Sequence, residues 1–210
     1  MARLPRSTII GIPHRVMQGS NGGDPVFTDE ADFRHYSSLL RESSKRYSLE
    51  ILAYCLMPTR VHFVCIPKVD GALARCFNAL HMRYAQYFRG KRGSASRLWE
   101  SRFRSCMMDD RSVYEEIRFI ENLPVRAGLA TRAEEYPWSS AHCHMMGGED
   151  PLVGAQSPFK DKVDDWPAYL EAHGNEPVLE TIRKCLRTGR PAGDTEWVRK
   201  LETILGRRLE

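Results

Sequence analysis

The chain has 210 residues, 42% of them hydrophobic, which is enough for one generous domain or for a domain with an appendage. The formal net charge of +4 is modest, and no run approaches the ~18 apolar residues of a membrane span, which argues against an integral membrane protein. Six cysteines show no Cys-x-x-Cys pair and follow no secretory signal, which predicts reduced thiols and a cytoplasmic protein.

The first part of the chain predicts a strand and a helix. Residues 9–18 alternate loosely between apolar and polar side chains and predict the strand, which ends in the turn-rich residues 19–25. Over residues 29–47 apolar side chains recur at spacings of three and four, as on one face of a helix. Thr28 or Asp29 can cap the start of that helix.

Two apolar runs, residues 51–57 and 61–66, are separated by Pro58 and Thr59 and predict an antiparallel hairpin. Both runs are apolar nearly throughout, which is typical of central strands covered on two faces, and His62 is the exception. Side chains two apart on a strand share a face, so Arg60 and His62 are expected to project together.

The pattern then predicts a second helix over residues 71–88 and a basic, glycine- and serine-rich loop over residues 90–96. Residues 98–106 alternate between charged side chains and apolar or small ones, which predicts a fourth strand. On that strand Arg102 and Arg104 would share one face.

A third helix is predicted over residues 111–122, capped by Asp109 or Asp110 and ended by Pro124. The order strand, helix, strand, strand, helix, strand is the split β-α-β arrangement of ferredoxin-like domains. We therefore expect an α+β domain over residues 1–146, with an antiparallel sheet and helices on one face.

From Gly147 the chain changes character, and residues 147–210 predict a small helical C-terminal extension. Its last helix is expected over residues 195–205, capped by Asp194 after a basic turn. Two short helices across such a turn could read DNA, or they could only pack against the main domain.

Positive charge is concentrated in one part of the chain. Residues 71–106 carry eight arginine and lysine residues against Glu100 alone, a local excess of +7. Such a block indicates a polyanionic partner, and the alternative is a solvated basic face without a ligand.

Five segments resemble the motifs of one family, in the same order. Residues 54–63 contain Met-Pro-Thr-Arg-Val-His, similar to Met-Pro-Asn-His-Val-His, and residues 118–129 follow Arg-Tyr-Ile-Glu-Leu-Asn-Pro-Val-Arg-Ala-Gly-Leu almost letter for letter. The other segments are residues 13–18, 98–103 and 136–140. The chain thus resembles the single-tyrosine HUH transposases with an IS200-like domain, in particular the branch associated with repetitive extragenic palindromes.

The resemblance implies a definite chemistry. In that family a tyrosine attacks a DNA phosphate and becomes covalently joined to the 5′ end of the cleaved strand. Two histidines that flank a hydrophobic residue, and a polar residue four positions after the tyrosine, hold a divalent metal against the phosphate.

This sequence departs from the family at three of those positions. Phe119 stands at the position of the tyrosine and has no oxygen to attack phosphorus. Arg60 stands at the position of the first histidine, where a guanidinium has no lone pair for a cation. Leu123 stands at the third ligand position, so His62 is the one metal ligand that remains, and a lone histidine is too weak a site for Mg²⁺ or Mn²⁺.

We therefore expect a transposase-like protein that binds DNA without cleaving it and has no cofactor. Dimers are usual in the broader family and single chains occur in the palindrome-associated branch, so the expected state is a monomer or a homodimer, with the monomer favoured. Single-stranded or hairpin DNA is the expected partner, and no association with a membrane is expected. Arg60 beside His62 could hydrogen-bond the phosphate that the metal would otherwise neutralise, or it could face solvent. The expected DNA-contacting residues are Arg60, His62, Lys91, Arg92, Arg102, Arg104 and Arg126.

Two other functions stay open. The first is an active transposase that uses Mg²⁺ or Mn²⁺ and forms a phosphotyrosine intermediate. Tyr114 is the nearest other tyrosine on the third helix, but it points some 140° away from Phe119 at about 100° per residue. The second is an RNA-binding or scaffolding use of the ferredoxin-like fold.

Overall fold

The structure, a computed structural model, describes residues 7–93, 96–153, 163, 165–172 and 174–209. A 3-10 turn, Ala133–Glu135, lies between the fourth and fifth helices. In chain order the strands and helices are β1 His14–Gly19, α1 Glu30–Arg46, β2 Leu49–Met57, β3 Arg60–Pro67, α2 Ala72–Arg92, β4 Arg104–Met107, α3 Asp110–Glu121, α4 Leu123–Arg126, α5 Ala141–Met146, α6 Trp166–Glu171, α7 Glu176–Thr188 and α8 Thr195–Leu205.

The four strands form one antiparallel sheet in the order β2-β3-β1-β4. This order, with a helix after β1 and another after β3, is that of a ferredoxin-like split β-α-β domain. The predicted α+β class and the predicted hairpin are therefore confirmed. Aspartates cap three helices as expected, since Asp29, Asp109 and Asp194 each accept a hydrogen bond from a backbone N–H of the first turn.

Helices cover both faces of the sheet, so the expectation that they lie on one face is wrong. On β3, Val61, Phe63 and Cys65 pack into a core with α1 and α2. Val64, on the opposite face, packs into a second core with α3 and α7. The reason is visible in the sequence, because a strand that is apolar at nearly every position needs a cover on each side.

The second strand lies at an edge of the sheet rather than at its centre, but this edge is covered. The backbone N–H of Leu56 donates to the carbonyl of Trp138 at 2.9 Å, and the N–H of Ser140 donates to the carbonyl of Tyr54 at 3.0 Å. The Tyr54 hydroxyl also donates to Asp150 at 2.8 Å. These contacts explain how β2 can be buried along most of its length without being central.

Two predicted strands begin later than expected. Residues 9–13 form a turn, with Gly11 at φ 82°, and β1 starts at His14. Residues 98–103 are not a strand, although Trp99 forms an isolated bridge with Ser20. The alternation in this segment arises because Trp99 and Phe103 are buried. Arg102 lies before the start of β4, so it does not share a strand face with Arg104.

The predicted loop over residues 90–96 is also corrected, because α2 continues through Arg92 and ends at Gly93 with φ 62°. The Lys91 ammonium lies 2.7 Å from Asp29 and 2.6 Å from Asp32, so ion pairs tie this last turn to the start of α1. Ser94 and Ala95 lie outside the described residues.

Helices α6 and α7 pack against α3, and α7 also packs against the sheet. Ala192 bridges to Met108, its N–H donates to the carbonyl of Met107 at 2.8 Å, and α7 lies against both β4 and α3. The division of the chain after residue 146 stays a prediction. Across the residues that the structure describes, no helix is both long and apolar enough to cross a membrane.

Candidate nucleic-acid interface

Beneath α3, the sheet buries a chain of polar side chains. Arg15 of β1 donates from Nη2 to Nδ1 of His62 on β3 at 2.7 Å and forms an ion pair with Glu116 of α3. Its Nη1 donates to the backbone carbonyl of Val16 at 2.9 Å. Arg15, His62 and Glu116 are all buried, so they form a closed network between the sheet and the helix.

Burial sets the charge state of this network. Desolvation lowers the pKa of His62 well below its usual value, and the guanidinium groups of Arg15 and Arg60 lower it further. The imidazole is therefore neutral and can accept the hydrogen bond from Arg15. Burial raises the pKa of the Glu116 carboxyl, and the neighbouring Arg15 limits that rise.

These residues do not fit a divalent metal. The Nδ1 atom of His62 already accepts a hydrogen bond from Arg15, a cation that would repel a metal ion. Arg60 and Leu123, at the other expected ligand positions, offer no ligand atom from their side chains. No group of three histidine, cysteine or carboxylate side chains suited to a metal occurs in the described part of the chain.

Arg60 begins β3 directly opposite Gly19 of β1, and its side chain is exposed. The side chains of Arg60 and Glu100 both lie close to Gly19. A Cβ atom at residue 19 would lie 3.2 Å from the Glu100 carboxylate and 3.9 Å from Arg60 Cγ. Within the described ranges, the Arg60 guanidinium makes no ion pair or hydrogen bond, which leaves it available to an anion.

The structure brings Arg104 to the same face as Arg60 and His62. His62 and Arg104 both lie opposite Met17 of β1, one on each side, so the side chains of all three residues project toward the α3 face. Arg104 is half-buried and lies 3.2 Å from Glu100. We call Arg60, His62 and Arg104 the sheet cluster.

The other predicted DNA-contacting residues lie elsewhere. Lys91 is held by two aspartates at the end of α2, on the opposite face of the sheet, and Arg92 lies with its guanidinium 5.0 Å from the centre of the Phe88 ring. Arg102 is exposed just before β4. Arg126, on α4, stands over the Phe119 ring at 5.2 Å.

Phe119 is half-buried between two guanidinium groups. Arg126 lies 5.2 Å from the ring centre, and Arg183 of α7 also lies 5.2 Å from it. Such cation–π contacts hold both arginines against the ring. Arg183 is further paired with Glu176 of α7, whose pKa it lowers.

A cavity of about 250 Å³, which we call the Phe119 cavity, opens next to this ring. It lies between α3, α4 and the facing ends of α6 and α7, so residues that follow α5 in the chain form one of its walls. Its lining combines leucines with two arginines, two glutamates and an asparagine, and consists of Glu115, Arg118, Phe119, Asn122, Arg126, Leu170, Glu171, Ala172, Gly174 and Leu179.

A second buried polar network stabilises the far end of α3. The fully buried Glu121 carboxylate accepts hydrogen bonds from the Ser140 hydroxyl and from the Trp166 indole at 3.1 Å, and it contacts His144 Nδ1 at 2.6 Å. Burial lowers the pKa of His144, but Glu121 outweighs this effect and raises it overall. His144 is thus a partner of a core carboxylate.

Sequence reasoning did not identify Arg15, Glu116 or Arg183 as parts of this region. Two of them carried a usable signal. Arg15 is the third residue of the segment 13–18, where the motif that it resembles, Pro-His-His-Val-Thr-Gln-Arg-Gly, has a histidine. Glu116 precedes Phe119 by three residues, one helical turn. Arg183 carried none, because its approach depends on how α7 packs against α3.

Comparisons with known proteins agree with this architecture. The sequence profile of the family described as "Transposase IS200 like" matches residues 14–123. The structure of a REP-associated tyrosine transposase bound to a REP hairpin is similar at a TM-score of 0.56 and 17% identity, over 75% of this chain and 93% of that one. A candidate transposase from Deinococcus radiodurans is similar at a TM-score of 0.41 and 16% identity, over 58% and 97% of the two chains. A comparison with curated proteins finds no match.

Proposed function

This chain belongs to the IS200-like transposase family, and we propose that it binds single-stranded or hairpin DNA on the α3 side of its sheet without cleaving the strand. The observation that carries the proposal is the buried network of Arg15, His62 and Glu116. In this network the Arg15 guanidinium binds His62, the one side chain that the family resemblance still offers as a metal ligand, and this supports the absence of a metal ion. The expected monomeric state and cytoplasmic location stay predictions.

The binding half of the proposal rests on the sheet cluster. Arg60 is exposed and unpaired among the described residues, and Arg104 lies on the same face. Guanidinium groups match phosphate oxygens in both charge and geometry, so Arg60 can hold a backbone phosphate. A protein of the same fold is described as bound to a REP hairpin, which supports hairpin DNA as the ligand class.

The second half, the absence of cleavage, rests on three side chains. Phe119 aligns with the nucleophilic tyrosine by resemblance, and a phenyl ring supplies no attacking oxygen. His62 Nδ1 accepts a hydrogen bond from Arg15, and Leu123 supplies no ligand atom. A strand held here would therefore meet a fixed guanidinium in place of a Lewis acid that polarises the phosphate.

Fluorescence anisotropy with a labelled DNA hairpin that carries a single-stranded flank tests the proposal. We expect binding that weakens steeply with salt, and we expect Arg60→Gln to reduce the slope of log K against log salt by about 1. Arg34→Gln is the matched control, because Arg34 is exposed on α1 at the opposite face.

Two outcomes would count against this function. Equal weakening by Arg60→Gln and Arg34→Gln would remove the sheet cluster from the interface. Tighter binding of a matched RNA hairpin would favour the RNA-binding alternative. A denaturing gel tests the absence of cleavage. We expect the DNA to be recovered uncut after incubation with the protein and Mg²⁺ or Mn²⁺.

A further inference from the structure

The Phe119 cavity has the size and walls of a site for one flat heterocycle. Its volume of about 250 Å³ lies below the ~300–1,000 Å³ of sites for drug-sized ligands, so a single base fits better than a stacked pair. Leu170 and Leu179 are buried and give the cavity an apolar wall. Phe119 also lines the cavity.

Several polar groups of the lining are already engaged and so fix the shape of the cavity. Arg118 pairs with Glu115, donates to the Tyr169 carbonyl at 3.4 Å and lies 4.4 Å from the centre of the Tyr169 ring. The Asn122 amide donates to the carbonyls of Arg118 at 3.1 Å and of Leu170 at 2.9 Å. These bonds tie α3 to α6 and make the cavity preformed.

Two charged side chains remain for a ligand. Arg126 and Glu171 line the cavity, are exposed, and form no ion pair or side-chain hydrogen bond with any residue that the structure describes. Arg126 is not loose, since the Phe119 ring holds its guanidinium at 5.2 Å. The cavity thus presents a fork of donors and a carboxylate acceptor from different elements, α4 and α6.

This combination matches guanine among the four DNA bases. Guanine carries two acceptors side by side, O6 and N7, which suit a guanidinium fork. Its N1–H and N2–H donors lie on the adjoining edge and suit a carboxylate, whereas adenine, cytosine and thymine do not offer two adjacent acceptors beside two adjacent donors.

We propose that the Phe119 cavity receives one unstacked guanine of the bound strand, with O6 and N7 on Arg126 and with N1–H and N2–H on Glu171. In this arrangement Phe119 acts as a positioning residue, because its ring orients Arg126. The inference rests on the proposed function for the source of the base, since single-stranded DNA can splay a base into a pocket at the cost of unstacking.

Binding of free deoxynucleoside monophosphates to the full chain, followed by saturation-transfer NMR and calorimetry, tests this site. We expect dGMP to bind about tenfold more tightly than dAMP, dCMP or dTMP, within the range of one bidentate arginine–guanine contact. Arg126→Gln and Glu171→Gln should each remove this preference. Both side chains are exposed, so neither variant threatens folding.

A cavity-filling variant locates the site. Ala172 is exposed on the rim of the cavity, and Ala172→Phe should abolish dGMP binding. Ala31→Phe, a change of equal size at an exposed position of α1, should leave it intact. Equal affinity for all four nucleotides, or dGMP binding that survives Ala172→Phe, would overturn the proposal.

Hairpin binding measured on the same samples separates the two proposals. Hairpin binding without any dGMP preference would remove the guanine site and leave the proposed function standing. Selective dGMP binding without hairpin binding would keep the guanine site and overturn the proposed function.

Discussion

The face of the sheet under α1 and α2 buries a layer of aromatic rings, whereas the face under α3 buries Arg15, His62 and Glu116. The aromatic layer consists of Phe27, Tyr36, Tyr54, Phe63, Phe77, Tyr84, Phe88, Trp99 and Phe103. Rings such as Phe77 and Phe103, with centres 5.2 Å apart, gain both apolar burial and favourable geometry. The charged layer gains little net stability, because burying the ions costs nearly as much as pairing them returns.

The buried layers on the two faces of the sheet therefore have different roles. An apolar layer is sufficient to hold a sheet and two helices together. A buried ion pair contributes less than apolar groups of the same size, so its presence under α3 is explained better by the site than by stability. Four predictions test this difference between the two faces.

The aromatic layer should show the largest single loss. Phe77 is fully buried, and Phe77→Ala should lower the free energy of unfolding by about 3–5 kcal/mol. Urea denaturation followed by circular dichroism measures this loss. Phe77→Leu, which leaves a smaller void, is the control and should cost clearly less.

The charged layer should respond to single and paired changes in opposite ways. Glu116→Leu leaves the Arg15 guanidinium buried without its partner and should cost about 3 kcal/mol. The double variant Arg15→Met, Glu116→Leu should return to wild-type stability or exceed it. A double variant as unstable as the single one would instead show that the ion pair is a net stabiliser.

Acid should destabilise the protein through its buried histidines. Burial lowers the pKa of His81 from 6.5 to about 3, and that of His14 to about 4, so the folded protein keeps them neutral. Below pH 6.5 these histidines bind protons in the unfolded chain but stay neutral in the folded protein. Each of them should therefore lower the free energy of unfolding by about 1.4 kcal/mol for every unit by which the pH falls. In urea titrations between pH 6.5 and 4.5, His81→Asn should reduce the slope by one proton. An unchanged slope would refute this origin.

Lys91 should give the smallest effect. It was expected to contact DNA, but its ammonium is paired with Asp29 and Asp32 beside the aromatic layer. Lys91→Met should therefore lower the urea midpoint slightly and leave hairpin affinity nearly unchanged, unlike Arg60→Gln. A loss of affinity equal to that of Arg60→Gln would return Lys91 to the interface.

Local patterns in the sequence were enough to predict the hairpin, the helix caps and the ferredoxin-like order of elements. The apolar alternation of β2 and β3 and the aspartates at 29, 109 and 194 act within a few residues, so they are legible without a structure. The same locality misled over residues 98–103, where two buried rings imitate a strand.

The site was predictable only in part. Arg60 and His62 follow from their spacing on one strand, and Phe119 and Leu123 follow from the family resemblance. The link from Arg15 to Glu116 joins residues about a hundred positions apart, and it depends on how α3 is laid across the sheet. The Phe119 cavity depends similarly on where the α6–α7 segment closes over α3.

Electron paramagnetic resonance of Mn²⁺ tests most directly whether Arg15 stands in for a metal. With wild-type protein and a bound DNA hairpin, we expect the same free Mn²⁺ signal as with the hairpin alone, because the His62 Nδ1 atom is already occupied by Arg15. A protein-dependent loss of signal that disappears in His62→Ala would contradict the account.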